Sequence, residues 1–266
     1  MDEPETIEPQ FVEIKKEYEI TVDDNVIEAL TWQLCHLCAP GTKITYNAIN
    51  IMGQKRRVVI ENKYGIAAIL KNIVLNTEVV KPIYFVDDNG SMKVEVLFTY
   101  DVTADDPNIV SFANMCPTTT GTHVEGFLDG IIKYFRDYMN KIYLANNKKL
   151  QVNAQDIRTG LRAVVSIFHI APMFGGQSKD IFTKEDIKPY VMQQTLQALN
   201  VWGETNPGDL QKISKYLKEV CEIRSKTDNE KIKMSDKYTS SVVSGLPDKY
   251  KKPNTNKNNE IWIVEG

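Results

Sequence analysis

Cysteine is scarce in this chain: four in 266 residues, too few and too scattered for a disulfide framework, which fits a reducing compartment. Cys35 and Cys38 have metal-type spacing, but no second pair follows and a closed zinc site needs four ligands. Both thiols stand at the end of an apolar helical pattern and are read as packing groups. Long apolar runs are also lacking, since no stretch approaches the roughly 20 residues that cross a bilayer. The first residues (Asp2, Glu3, Glu5, Glu8) are acidic where a secretory signal is basic and then apolar. The expected setting is cytoplasmic, with no membrane partner. A large charge of one sign is missing too: the net charge is -3, which argues against a dedicated non-specific DNA binder with its clear basic excess.

What the chain does have is apolar content, 42%, enough to build a core for one large domain with appendages. Its charge is unevenly spread. Between Lys212 and Lys257 bases outnumber acids by about two to one. That run is read either as the solvated face of a helix or as a surface near DNA.

Residues 1–21 are charged and lack periodicity, an extended lead-in. A helix is predicted over 22–37 from Val26, Leu30, Leu34 and Leu37, then a hairpin from 42–48 and 57–61 and a short helix at 65–74. Strands at 82–86 and 92–100 flank Asn89-Gly90, a tight-turn pair. Met92, Val94, Val96, Phe98 and Tyr100 share one face of the second strand, while Lys93, Glu95 and Thr99 take the other, partly wet one. A strand at 108–115, a loop at 117–122 and a long helix at 124–143 follow, the helix with Phe127, Ile131, Tyr134, Phe135, Tyr138 and Ile142 on its buried stripe. Asn153 and Asp156 have capping-box spacing, and the nearly all-apolar 161–170 reads as a central strand. Helices are expected at 185–202 and from Pro207 onward, the last with an apolar stripe (Leu210, Ile213, Leu217, Val220, Cys221) that stops before the helix need do so.

Two stretches are the most distinctive: Pro117-Thr118-Thr119-Thr120-Gly121-Thr122-His123-Val124-Glu125-Gly126-Phe127 and Phe174-Gly175-Gly176-Gln177-Ser178-Lys179. Between them lies Asp156-Ile157-Arg158-Thr159-Gly160-Leu161, and near the end come Ser244-Gly245-Leu246-Pro247 and Ile261-Trp262-Ile263-Val264-Glu265. In this order, from about Val22 to the last residue, the chain resembles the transducer region of type II DNA topoisomerases, the family of gyrase B and its topoisomerase IV counterpart. Thr120 departs from a glycine common in that family, Thr159 from an acid and Ser178 from a threonine.

The resemblance implies an α+β fold: a mixed, mainly antiparallel sheet covered by helices on one face, with a long C-terminal helix. It divides the chain into a lead-in from an ATPase domain (1–21), a transducer (22–203), a helical arm (204–243), a linker (244–259) and the first strand of a TOPRIM domain (260–266). Gln177 and Lys179 become the catalytic, ATP-binding pair that reaches the γ-phosphate of ATP held in a separate ATPase domain. Gly121, Thr122, His123 and Arg158 become structural or interface residues, with His123 read first as a structural hydrogen-bonding group. Glu265 becomes a Mg²⁺ ligand only once the rest of TOPRIM is supplied. The implied cofactors are ATP and Mg²⁺. The implied partners are DNA, a gyrase A-type subunit, the ATPase domain and remaining TOPRIM portion in cis or in trans, and a second copy in a homodimer. On this reading the chain is one piece of a larger or split subunit and is inactive alone. A MutL-type mismatch-repair ATPase piece, and a transducer-derived module that binds a partner or DNA without nucleotide, remain as alternatives.

Overall fold

The computed structural model describes residues 24–38, 40–49, 53–75, 77–144 and 152–243. The lead-in at 1–21, the linker at 244–259 and the strand at 260–266 with Glu265 lie outside the described residues. Helix α1 (Asp24–Leu37) packs on the antiparallel hairpin of β1 (Lys43–Ile49) and β2 (Lys55–Glu61), a two-stranded sheet of its own. Such a sheet offers a narrow face. The expected stripe of α1 is therefore only partly covered: Leu30 and Leu34 remain 47% and 41% exposed, while Cys35 and His36 are buried. Cys35 donates its thiol hydrogen to the carbonyls of Thr42 and Ile60, as a packing group would. The short α2 (Ala67–Lys71) follows.

The main sheet has five strands in the order β3-β4-β8-β5-β6. β3 (Ile83–Asp88) and β4 (Met92–Tyr100) form the predicted hairpin, its turn closed by the Asn89 side chain, which accepts the amides of Ser91 and Met92. β5 (Asn108–Ala113) ends two residues earlier than the apolar pattern predicts. Asn114 and Met115 both take positive φ, 48° and 64°, and turn the chain into β6 (Cys116–Thr118). The segment read as loop thus contains β6 and then the two-residue β7 (Thr120–Gly121).

Helix α3 (Thr122–Met139), extended by a π turn at Asn140–Leu144, and α4 (Ala154–Arg158) lead to β8 (Leu161–His169). β8 pairs antiparallel with β4 and parallel with β5, which accounts for its apolar character on both faces. The capping box predicted for α4 is present, with Asn153 and Asp156 each bonding the other's backbone amide. After β9 (Ile181–Phe182) come α5 (Ile187–Thr205) and α6 (Pro207–Val243).

The larger helices share one face of the sheet. Phe127, Ile131, Phe135 and Met139 of α3 pack with Val191 and Leu199 of α5 over Val94, Val96, Phe98 and Val165. α3 and α5 approach closely because Gly130 faces Thr195, where an added Cβ would come within 2.8 Å of the threonine Cβ. On part of the opposite face Ile66, Ile69 and Leu70 cover Leu97, Phe112 and Val164. That region of β4 is buried on both sides, whereas Lys93 and Glu95 at its other end stay wet.

α6 follows its pattern. Leu210, Ile213, Leu217 and Cys221 are buried, and then Arg224 pairs with the buried Asp156 of α4, Nε to Oδ1 at 2.6 Å and Nη2 to Oδ2 at 3.1 Å. At 1.5 Å per residue, 37 residues span roughly 55 Å. Lys212, Lys215, Lys218 and Arg224 each lie within 4.0 Å of a carboxylate, so this part of the basic run is a self-neutralised helix face.

Candidate functional site

The chain leaves β8 at His169, forms an exposed loop and returns through β9 to α5. In that loop the two distinctive stretches meet. β7 pairs in parallel with β9, Thr120 opposite Ile181 and Gly121 opposite Phe182. The Thr119 amide and hydroxyl both donate to the Asp180 carbonyl, at 2.8 and 3.1 Å, and the Thr122 hydroxyl donates to the Lys184 carbonyl at 2.7 Å.

Gly121 has φ 152°, and a Cβ there would lie 2.5 Å from the Phe182 carbonyl oxygen and 2.9 Å from its amide nitrogen. Only glycine allows that approach. His123 is fully buried, with Nε2 at 3.2 Å from the Thr118 hydroxyl and its ring edge-on to Phe182 at 5.6 Å. Its Nδ1 has no hydrogen-bond partner among the described residues. Burial holds the imidazole down at about 4, so it is neutral at physiological pH. A neutral imidazole sealed from solvent supports the loop and cannot exchange protons with an outside ligand.

Beyond this seat the loop closes on itself. Gly175 donates to the Ile181 carbonyl at 2.8 Å and Thr183 to the Met173 carbonyl at 2.9 Å. Phe174 lies edge-on to Phe182 at 5.3 Å. The tip, 175–179, is exposed.

Lys179 takes a left-handed backbone, φ 57°, with its amide bonded to the Gly176 carbonyl, and Ser178 donates its hydroxyl to Asp180 at 2.5 Å. The Lys179 ammonium lies 5.9 Å from the centre of the Phe174 ring and has no carboxylate within ion-pair distance among the described residues. Gln177 is exposed, and its amide makes no hydrogen bond among them. A cation without a counter-charge on a braced loop can bind an oxyanion at little cost in desolvation or rearrangement.

The remaining predicted residues lie elsewhere. Arg158 ends α4, at the opposite end of β8 from the loop, and its Nε is buried without a partner among the described residues. Glu265 lies outside the described residues. Among those residues no group of three or more His, Cys, Asp or Glu could hold a metal ion, and no helix is long and apolar enough to cross a membrane.

Sequence reasoning missed Phe182, the side chain on which Phe174 and His123 both rest. Its signal was weak: one aromatic residue in a polar stretch. It also missed the pairing role of Arg224, which stands three residues past Cys221, the end of the buried stripe of α6.

The structure is an α+β body whose Gly-Thr-His segment seats a loop carrying a lysine with no carboxylate partner among the described residues. The family model for DNA gyrase B matches residues 65–232, and the chain belongs to that family. It is 30% identical over 189 residues to the DNA gyrase B protein of Cytophaga aurantiaca, covering 70% of this chain and 39% of that protein. With the gyrase B protein of Campylobacter jejuni it shares 28% identity over 257 residues, 94% of this chain and 32% of the relative. The topoisomerase IV counterpart of gyrase B in Francisella tularensis is 27% identical over 67% of this chain and 28% of its own length. The chain thus spans well under half the length of these relatives. In fold it resembles the 43K ATPase domain of Thermus thermophilus gyrase B, with TM-score 0.66 and 23% identity over 80% of this chain and 57% of that one. The topoisomerase IV ATP-binding domain of Francisella tularensis gives TM-score 0.61 at 24% identity, over 77% and 55%.

Proposed function

We propose that this chain is the transducer segment of an ATP-dependent type II DNA topoisomerase, in which Lys179 and Gln177 contact the terminal phosphate of an ATP held by a separate domain. One observation carries the reading: the Lys179 ammonium is exposed, lacks a carboxylate partner among the described residues and sits on a loop whose base is fixed by β7, β9 and Phe182. As negative charge shifts during phosphoryl transfer, an ammonium already in place stabilises it, and the Gln177 amide adds a second donor. The ATP-binding titles of the two fold neighbours, and the gyrase names of the relatives, support a nucleotide as the phosphate source.

Mg²⁺ belongs in this scheme with the nucleotide and with Glu265. The described residues supply no cluster for it. DNA, an A-type subunit, a second copy of the chain and the ATPase and TOPRIM portions, in cis or in trans, are the partners such an enzyme requires, in a cytoplasmic setting. The chain is inactive without them. The transducer read over 22–203 would carry its sensing loop on the five-stranded body, and the arm at 204–243 is tied to that body by the Arg224–Asp156 pair. Only a ligand that interacts differently with two orientations of that body can drive coupling, and a phosphate that is cleaved is such a ligand. The DNA gyrase B match favours this reading over a mismatch-repair piece.

The test is ATP turnover by an assembly of this chain with a gyrase-type ATP-binding domain. Lys179→Ala is expected to lower kcat roughly 10²-fold, with nucleotide affinity changed much less. Unchanged kcat would remove Lys179 from the site.

A further inference from the structure

The lysine loop has a second support, at the end of β8. His169 closes β8 and is 5% exposed. Its backbone is held on both sides by one side chain: the His169 amide donates to Asn114 Oδ1 at 3.0 Å, and Asn114 Nδ2 donates to the His169 carbonyl at 2.9 Å. Asn114 can do this because its positive φ turns it at the end of β5, so its amide stands where a further strand residue would pair.

The imidazole then reaches in two directions. Nδ1 lies 2.8 Å from the Ala171 amide, two residues into the loop. An amide N–H can only donate, so Nδ1 is the acceptor and the ring proton is on Nε2. Nε2 lies 3.3 Å from Oδ2 of Asp186, the residue that opens α5. Asp186 precedes α5 with helical backbone angles, φ -65° and ψ -19°, so its side chain is not set to accept a backbone amide of that helix. Here it makes no such bond and faces the histidine, with Lys184 Nζ 3.9 Å away.

We infer that His169 is a positioning residue, a clasp that joins the outgoing stem of the loop at Ala171 to its returning stem at Asp186 and so holds Lys179 in place. The inference rests on the phosphate-sensing role of Lys179 for its functional part; the clasp itself does not depend on that role. Phe182 and Gly121 hold the returning strand of the loop, and His169 with Asn114 holds its stems. Without the clasp the Ala171 amide loses its acceptor and Asp186 loses its contact with the ring, which lets the stems part. A lysine that must meet a phosphate within hydrogen-bonding distance then spends less time there.

The experiment begins with the full chain alone. A long-range ¹⁵N spectrum should show an unprotonated Nδ1 and a protonated Nε2 for His169. In His169→Ala, exchange of the hydrogen-bonded amides of Ala171, Gly175 and Lys179 should speed up roughly tenfold, about the loss of one hydrogen bond, with the five-stranded body unchanged. His169→Asn should restore slow exchange at Ala171, because an asparagine oxygen accepts the amide two residues on. In the assembled enzyme His169→Ala should lower kcat for ATP severalfold with KM little changed, and His169→Asn should recover part of it.

The opposite tautomer, or loop amides that exchange in His169→Ala as in the wild type, would overturn the clasp. Should the exchange result hold while Lys179→Ala leaves ATP turnover intact, the clasp stands and the phosphate-sensing role of the lysine fails.

Discussion

Thr118 and His123 hide their polar atoms from water and bond to each other, whereas Gln177 and Lys179, across one strand pair, leave theirs in solvent. The buried pair fixes a position. The exposed pair is the one proposed to use it. Substitutions in the Gly-Thr-His segment should therefore register as lost stability, and substitutions at the loop tip as lost chemistry.

Gly121→Ala should have the largest effect on stability. The new Cβ would meet the Phe182 backbone, which cannot swing aside as a flexible side chain could, and a φ of 152° is strained for any L residue. A loss of about 3 kcal/mol is expected in urea unfolding, with the β7–β9 pair the first structure to open.

His123 gives a prediction of similar size in pH. Its folded pKa is held at about 4 by burial, against 6.5 for a free histidine. Between those values the unfolded chain binds the extra proton and the folded chain does not, so stability rises with pH across the window and levels off above it. The contribution is up to about 3 kcal/mol, and it should vanish from the profile of His123→Gln. A profile that stays as steep in the variant would assign the slope to other groups.

The smallest effect separates the two regions most sharply. Lys179→Gly relieves a left-handed backbone at φ 57°, an effect of about 1–2 kcal/mol opposed by about 0.5–1 kcal/mol of added unfolded-chain entropy, and should stabilise the chain by about 0.5 kcal/mol. The same variant should lose ATP turnover in the assembled enzyme. Stability and function would then move in opposite directions at one residue, as they never should at Gly121.

Much of this arrangement was legible in the sequence, for identifiable reasons. β8 announced itself by an apolar run without alternation, α4 by its capping box, and α6 by an apolar stripe that stopped early. The turn at Asn114-Met115 was hidden, because nothing in an apolar strand pattern reports that two non-glycine residues adopt positive φ. The partial exposure of α1 was hidden too, since helical spacing shows which residues share a face and not how wide a sheet lies beneath them.

The Gln-Ser-Lys loop and the Gly-Thr-His segment were each visible as motifs, but their contact was not. It runs through Phe182, far along the chain from Gly121, and two-residue strands leave no periodic trace. The His169–Asp186 clasp was invisible for the same reason, since it joins the ends of two different elements.

The most direct measurement takes ATP turnover and urea midpoint on the same Lys179→Ala protein, the first in an assembly with a gyrase-type ATP-binding domain and the second on the chain alone. Turnover reduced roughly 10²-fold with an unchanged midpoint is the expected result. Turnover that stays at the wild-type level, or that falls only in step with stability, would contradict a phosphate-contacting lysine.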